Sequence, residues 1–433
     1  MKARLLIGAL CATVAFAQTD PAAVLERARR QVRDVISRLS KYTCTQTVDR
    51  SYFRQIGRRG AACDEIVANK NRGRLKLQLD ATDRLRLDVA VADDGVEIYS
   101  WPNADRIGAH NVEDLAAGGT IGTGPFGSFL IDIFENPGAE LTFEDGQQLL
   151  RYRFRVPLQA SHYGVQAGAT YQRTSYTGNF WLDPAAGELR RLTVRTGELT
   201  PNTGACEATT DVDFAWSHIG DGDYLVPRRS VLHSVGRYGS ETENVTTYSA
   251  CREYHGDSAV HFDAPEPAPQ KRGQTGFSSG RPLPPGLPVM LALDAAIDTG
   301  TAAAGDAISA RLLADVVEVS SKRVLAPAGA VVRGRITHLE HHLQGGSYFL
   351  VTLTWDTLET AGVTSPFTAI LDRPLRILDP AKPSPCSESV QQVESHGRLE
   401  GGGTLVLPSH GGRYVTPRGC ESGWLTIAVP NSR

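Results

Sequence analysis

The sequence predicts a mainly β protein. An N-terminal half-barrel, a curved antiparallel sheet carrying helices, is linked to a second, small β-barrel-like domain. Three observations predict it. Apolar and polar residues alternate with period two over many short runs, which gives each strand one dry and one wet face. Turn-forming residues, drawn from 43 glycines and 24 prolines, separate the runs. Residues 264–286 (APEPAPQKRGQTGFSSGRPLPPG) carry no apolar periodicity and read as a semi-rigid, solvated spacer. The spacer divides residues 18–263 from residues 287–433, and each length suits a domain.

The chain opens as an export signal. Lys2 and Arg4 precede an apolar run over residues 5–16, and Ala15-Phe16-Ala17 supplies a small-x-small cleavage site before Gln18. The run is too short to span a bilayer, and no later stretch is long and apolar enough to do so. Leu10 directly before Cys11 fits lipidation of that cysteine poorly. The mature chain is therefore expected in the periplasm or secreted. Its remaining cysteines, Cys44, Cys63, Cys206, Cys251, Cys386 and Cys420, form an even set and read as disulfides in an oxidising compartment. Nearest-neighbour pairing is expected: Cys44–Cys63, Cys206–Cys251 and Cys386–Cys420. A formal net charge of -3 gives no broad attraction to nucleic acid.

The first domain begins with a helix. Asp20 suits its N-cap and Pro21 its first turn, and Val24, Leu25, Ala28, Val32, Val35, Ile36 and Leu39 recur at helical spacing. Arg27, Arg30, Arg33, Asp34 and Arg38 form the opposite face, which is either a solvated surface or a contact for anionic headgroups. Strands follow. Leu75, Leu77 and Leu79 alternate with Arg74, Lys76 and Gln78, and Leu85, Leu87, Val89 and Val91 continue the pattern. Leu150, Tyr152, Phe154 and Val156 alternate with three arginines. Turns are expected at Asp93-Asp94-Gly95, Glu144-Asp145-Gly146, Asp183-Pro184-Ala185-Ala186-Gly187 and Gly220-Asp221-Gly222-Asp223. Residues 128–134 (SFLIDIF) follow a Gly-rich stretch and read as a small helix laid on the sheet.

Three pieces carry a family resemblance: the Asp94-Gly95 turn leading into Glu97-Ile98-Tyr99-Ser100-Trp101-Pro102, the SFLIDIF segment, and the hairpin Phe180-Trp181-Leu182-Asp183-Pro184 with Gly187-Glu188-Leu189-Arg190-Arg191-Leu192. On these, residues 20–265 resemble the LolA-like periplasmic lipoprotein carriers. The resemblance implies a half-open barrel with an apolar inner face lidded by helices, where lipid or lipoprotein acyl chains bind. The inner face is then expected to include Leu77, Leu87, Val89, Ile98, Trp101, Phe129, Ile133, Tyr152, Phe154 and Trp181. The same residues can equally pack an ordinary filled core. The cysteine pairs, the extra loop at residues 161–174 and the fused second domain depart from the family pattern.

The second domain reads as strands at residues 289–293, 306–312, 316–319, 324–325, 331–336 and 348–353. Gly305-Asp306, Arg323-Val324-Leu325-Ala326-Pro327-Ala328-Gly329-Ala330 and Val331-Val332-Arg333-Gly334-Arg335 resemble the C-terminal domain of TrbI/VirB10-like envelope proteins. Beyond residue 380 the chain is Gly-rich and irregular.

Chemical motifs are sparse. On a strand, His338, Glu340 and His342 share one face, a pattern open to a transition metal. Their spacing is not that of a zinc protease, however, and an exposed hairpin arm before Gly345-Gly346 is expected with no metal. Gly-x-Ser-x-Gly, Walker and dinucleotide motifs are absent, and no cofactor or catalytic residue is expected. Asn244-Val245-Thr246 matches a glycosylation sequon by pattern only and reads as a surface loop. Three function classes stay open: a carrier for lipid or another apolar ligand, a non-catalytic scaffold with an envelope protein partner, and a hydrolase, which would require a polar cleft.

Overall fold

The computed structural model describes residues 20–39, 42–57, 62–92, 95–104, 112–116, 119–167, 170–253, 280–318, 320–372, 391–392 and 401–429. Most of the spacer, the leader and Cys386 lie outside them.

Helix α1 (Pro21–Ile36) starts where its cap requires. The Asp20 side chain accepts from Ala22 N and Pro21 occupies the first turn. Its buried stripe is Val24, Ala28, Val32 and Val35. Short helices follow at α2 (Cys63–Asn71), α3 (Val112–Leu115) and α4 (Ser128–Leu130), the last running into a π-helical turn over Ile131–Glu135. SFLIDIF is therefore helical, with a wider final turn.

The strands of the first unit are β1 (Tyr42–Gln55), β2 (Leu77–Val91), β3 (Glu97–Ser100), β4 (Glu140–Gly146), β5 (Leu150–Val156), β6 (Gly164–Ala167), β7 (Thr170–Arg173), β8 (Tyr176–Leu182), β9 (Leu189–Thr196), β10 (Ala205–Ile219), β11 (Gly222–Gly236) and β12 (Glu241–Glu253). All but β6 and β7 join one antiparallel sheet in the order β4-β5-β8-β9-β10-β11-β12-β1-β2-β3. The sheet is curved and does not close. β6 and β7 form a separate hairpin within the extra loop. Alternation sets the faces. On β5, Leu150, Tyr152, Phe154 and Val156 are buried, while Arg151, Arg153 and Arg155 face outward and pair in part with Glu144 and Asp145. Gly178 is required on β8: a Cβ there would lie 1.8 Å from Thr193 O of the neighbouring strand.

The cysteines pair differently from the nearest-neighbour expectation. Cys44 bonds Cys251 and Cys63 bonds Cys206. The reason is strand order. The last strand of the unit, β12, returns to lie beside the first, β1, so Cys44 and Cys251 become neighbours across 207 residues of chain. Helix α2 lies against β10, which brings Cys63 to Cys206. Cys420 is also disulfide-bonded.

The second unit contains β13 (Pro288–Leu293), β14 (Ile297–Asp298), β15 (Ala307–Leu312), β16 (Val316–Val317), β17 (Val324–Ala326), β18 (Val331–His342), β19 (Tyr348–Thr360), β20 (Val363–Pro366), β21 (Ala369–Leu371), β22 (Gln391–Gln392), β23 (Gly403–Pro408), β24 (Val415–Thr416) and β25 (Glu421–Thr426). Its main run is β21-β25-β13-β15-β18-β19-β23-β22, and backbone hydrogen bonds from Gly402 to Ala369 and from Leu371 to Gly402 bring β21 close to the start of β23. A separate apolar cluster fills it, with Trp355 and Trp424 meeting edge to face at 5.6 Å. The His338–His342 segment is not a free hairpin arm. It is the end of β18, and it pairs with β2 of the first unit, so 19 strands form one continuous ladder.

Candidate functional site

The inner face of the half-barrel is the natural candidate. Six of the ten residues proposed from sequence meet there: Leu87, Val89, Phe129, Ile133, Tyr152 and Phe154 belong to one cluster and are each at most 1 % exposed. Phe180 and Tyr176 of β8 join them, and Tyr152 stacks on Phe180 at 5.1 Å between ring centres. At such exposures these side chains touch no water-sized space; protein atoms pack them on all sides.

Of the other four, Trp181, Ile98 and Leu77 lie elsewhere for reasons of register, and Trp101 packs against the edge of the same cluster. Trp181 pairs with Arg151 and Arg191 on the outer face, and the Arg191 guanidinium sits 5.5 Å from its ring centre. Its neighbour Phe180 points inward instead. Ile98 pairs with Ala90, whereas Tyr99, paired with Val89, takes the inner face. Leu77 is displaced by a bulge. Tyr52 pairs with Ala81 but Phe53 with Leu79, so Asp80 is extra and the face of β2 reverses before it. Trp101 is half-buried at the rim, with Arg335 of the second unit 5.8 Å from its ring centre.

What fills the concavity is the chain itself. α1 covers one part. The 119–135 segment covers the rest with Phe126, Phe129, Leu130, Ile133 and Phe134. Its polar anchors sit at identifiable points. Glu97 accepts from Gly124 N at 2.9 Å and Phe126 N at 2.7 Å, and also from the Tyr99 hydroxyl. Burial raises the Glu97 pKa, and these hydrogen bonds oppose the rise. Asp132, wholly buried, accepts from His162 N at 2.8 Å and Tyr176 Oη at 3.0 Å, and its other oxygen meets His162 Nδ1. Acid and imidazole are thus paired, but the neighbouring hydroxyls serve other partners. Ser161 Oγ accepts from Tyr163 N, and Tyr176 Oη binds the same carboxylate. The pair latches the π turn to the sheet.

A third anchor is ionic. Arg50 holds Asp83 through two hydrogen bonds of 2.6 and 2.7 Å, both groups being buried, and donates onward to Ala116 O at 2.9 Å and Thr120 O at 3.3 Å. Tyr52 Oη donates to Asp83 and Asn244 Nδ2 to Thr120 O. The sequon asparagine is therefore a buried strand residue. Sequence reading missed Arg50 because a charge on a buried face resembles an outward position until its partner strand is known.

The basic face of α1 is largely occupied. Arg27 donates to Ala185 O and Gln31 to Ala186 O in the β8–β9 turn, while Arg33 pairs with Glu135 and Arg38 with Asp34. That turn is built by Asp183, whose Oδ1 accepts from Ala185 N and Ala186 N, and by Gly187 at φ +76°. His338, Glu340 and His342 do share a face of β18, where both imidazoles contact the Glu340 carboxylate at 3.0 Å. Among the described residues no cluster of His, Cys, Asp and Glu has metal-binding geometry. No helix among them is long and apolar enough to cross a membrane.

No protein-family model and no curated protein matches this chain. Solved structures are similar over about half of it, among them the following two. A LolA superfamily protein from Nitrosomonas europaea shares 10 % identity, covering 53 % of this chain and 91 % of its own at a TM-score of 0.23. An outer membrane lipoprotein-sorting protein domain from Vibrio parahaemolyticus shares 12 %, covering 54 % and 92 % at a TM-score of 0.24. Likeness at this level bears on neither ligand nor mechanism. Neither match extends the resemblance to TrbI/VirB10-like domains.

Proposed function

We propose that this chain is an exported envelope protein whose half-barrel takes an acyl chain, or a ligand of similar shape and polarity, against its inner face beneath the 119–135 segment. One observation carries the reading. The concave apolar face is covered by a short segment punctuated by Gly119, Gly122, Gly124 and Gly127, with aromatic side chains lying where a ligand would lie. A chain of about ten methylenes gains about 0.8 kcal/mol per methylene buried, enough to compete with side chains of similar area. The sequence resemblance to LolA-like carriers implies the same ligand class. Two disulfides and a leader-like N-terminus support an oxidising compartment.

The sealed packing favours a second reading, a scaffold whose half-barrel core is permanently filled. Native mass spectrometry of protein purified from periplasm, followed by organic extraction, separates the two. The carrier reading expects co-purified lipid. It also expects that Phe129→Ala, which vacates volume under the segment, raises lipid uptake, and that Trp181→Asp on the outer face changes nothing. A lipid-free wild type, together with a folded Phe129→Ala variant that takes up no fatty acid, would leave the scaffold reading.

A further inference from the structure

The second unit is zipped to the outer edge of β2. Arg86 N donates to Ala304 O at 2.7 Å, Ala304 N to Arg84 O at 2.9 Å, and Leu343 N to Asp80 O at 3.0 Å. The side chains of Arg84, Arg86 and Gln344 add bonds to Gly300 O, Asp306 and Leu79 O. Across this seam runs one polar row. Asn244 on β12, Arg50 on β1, Asp83 on β2 and Glu340 on β18 are successive cross-strand partners, so all four share a face.

The row contains two carboxylates directly opposite each other, and such pairs repel. Arg50 neutralises Asp83. Glu340 instead lies between two imidazoles, with His338 Nε2 and His342 Nε2 each 3.0 Å from one of its oxygens. Two further titratable groups face this cluster: Tyr52 donates to Asp83, and Tyr348 of β19, the cross-strand partner of His342, stacks on its ring at 4.7 Å between centres. His341 faces the opposite way, toward Ser347 and Ser409. With both imidazoles neutral, Arg50, Asp83 and Glu340 leave one net negative charge in a half-buried seam. Protonating one histidine cancels it.

We propose that this seam is a proton-sensitive dock: the second unit is held more tightly to the half-barrel as His338 and His342 become protonated, and more loosely as they lose their protons. Imidazole is the side chain whose charge generally changes between about pH 5 and 8, so that is the interval to probe. An acid limb bounds it. The hydrogen bond from His338 holds the Glu340 pKa below its ordinary 4.5, with His342 and Arg50 acting in the same direction and burial against them. The folded value is depressed, so the contribution of Glu340 is present above 4.5 and is lost as pH falls through the lower folded value. Arg50 extends the row to the Ala116 and Thr120 carbonyls, so the dock also meets the start of the 119–135 segment at Thr120. The inference does not depend on what the half-barrel binds.

Hydrogen exchange of the full mature chain, read by mass spectrometry and corrected for intrinsic rates, tests it. Between about pH 8 and about pH 5.5, protection at Arg86, Ala304 and Leu343 is expected to rise about fivefold, the worth of a partly exposed ion pair. Peptides from β8 to β10 should not respond. Glu340→Gln, and separately the pair His338→Gln with His342→Gln, should flatten the response, whereas His341→Gln on the other face should keep it. A wild type with no pH response at the seam overturns the proposal, and this outcome needs no variant to fold. An unchanged response in Glu340→Gln overturns it as well.

Discussion

At the scale of single residues, Arg50 carries the most consequence. A buried carboxylate stripped of its cation costs far more than the net worth of the pair, because the charge that remains has lost its water. Arg50→Ala is therefore expected to lose about 3–5 kcal/mol in urea denaturation. The double change Arg50→Met with Asp83→Leu should recover most of that loss, since a well-packed apolar pair of similar volume replaces the ions. A loss below about 1 kcal/mol in the single variant would mean that the pair is hydrated and does not anchor the segment. Residue-scale legibility in the sequence was mixed for a related reason. Tyr152 and Phe154 declared their face through clean alternation with Arg151, Arg153 and Arg155. Trp181 did not: Phe180 beside it is equally apolar, and only the β5–β8 register decides which of them turns inward. Leu77 obeyed alternation locally and still lies on the other face, because a single extra residue, Asp80, shifts the register.

At the scale of elements, the N-cap and apolar stripe of α1 and the Asp183 turn are local, and sequence reads local chemistry well. The disulfides are not local. Nothing in residues 42–55 reveals that β12 closes beside β1, so pairing by proximity in sequence fails wherever the topology is long-range. The observed bonds close loops of 207 and 143 residues, one nested in the other. Loop-closure entropy for such lengths amounts to about 5 kcal/mol per bridge, an upper figure if native strain or residual structure intervenes. Replacing Cys63 and Cys206 together by Ser should therefore lower stability by several kcal/mol while leaving α1 and its stripe in place, as chemical denaturation and far-UV dichroism would register. Peptide mapping without reductant should recover the Cys44–Cys251 and Cys63–Cys206 peptides. A Cys44–Cys63 peptide in folded protein would overturn the β1–β12 closure.

For the whole molecule, composition and the spacer suggest two bodies, and two apolar clusters are present. Yet Ala304, beyond the spacer, is buried in the cluster of the first unit, and β18 extends the first sheet. No periodicity announces such a seam, because it is made by backbone edges and a small-residue loop rather than by an apolar stripe. We expect the seam to couple the units, so that heating gives one calorimetric transition rather than two. Gly305 offers a way to part them. Its φ is +105°, and a Cβ there would lie 2.2 Å from Arg86 O across the seam, which only separation of the units can relieve. Gly329 has a similar backbone at φ +82° with nothing within 4 Å of a Cβ. Gly329→Ala should therefore impose the left-handed strain alone, about 1–2 kcal/mol, and lower the melting temperature while keeping a single transition. Gly305→Ala bears the same strain and also opens the seam, so its transition should split, with the Arg86 amide losing protection. Two separate transitions already in the wild type, or identical behaviour of the two variants, would show that the continuous ladder joins the units without coupling their stability.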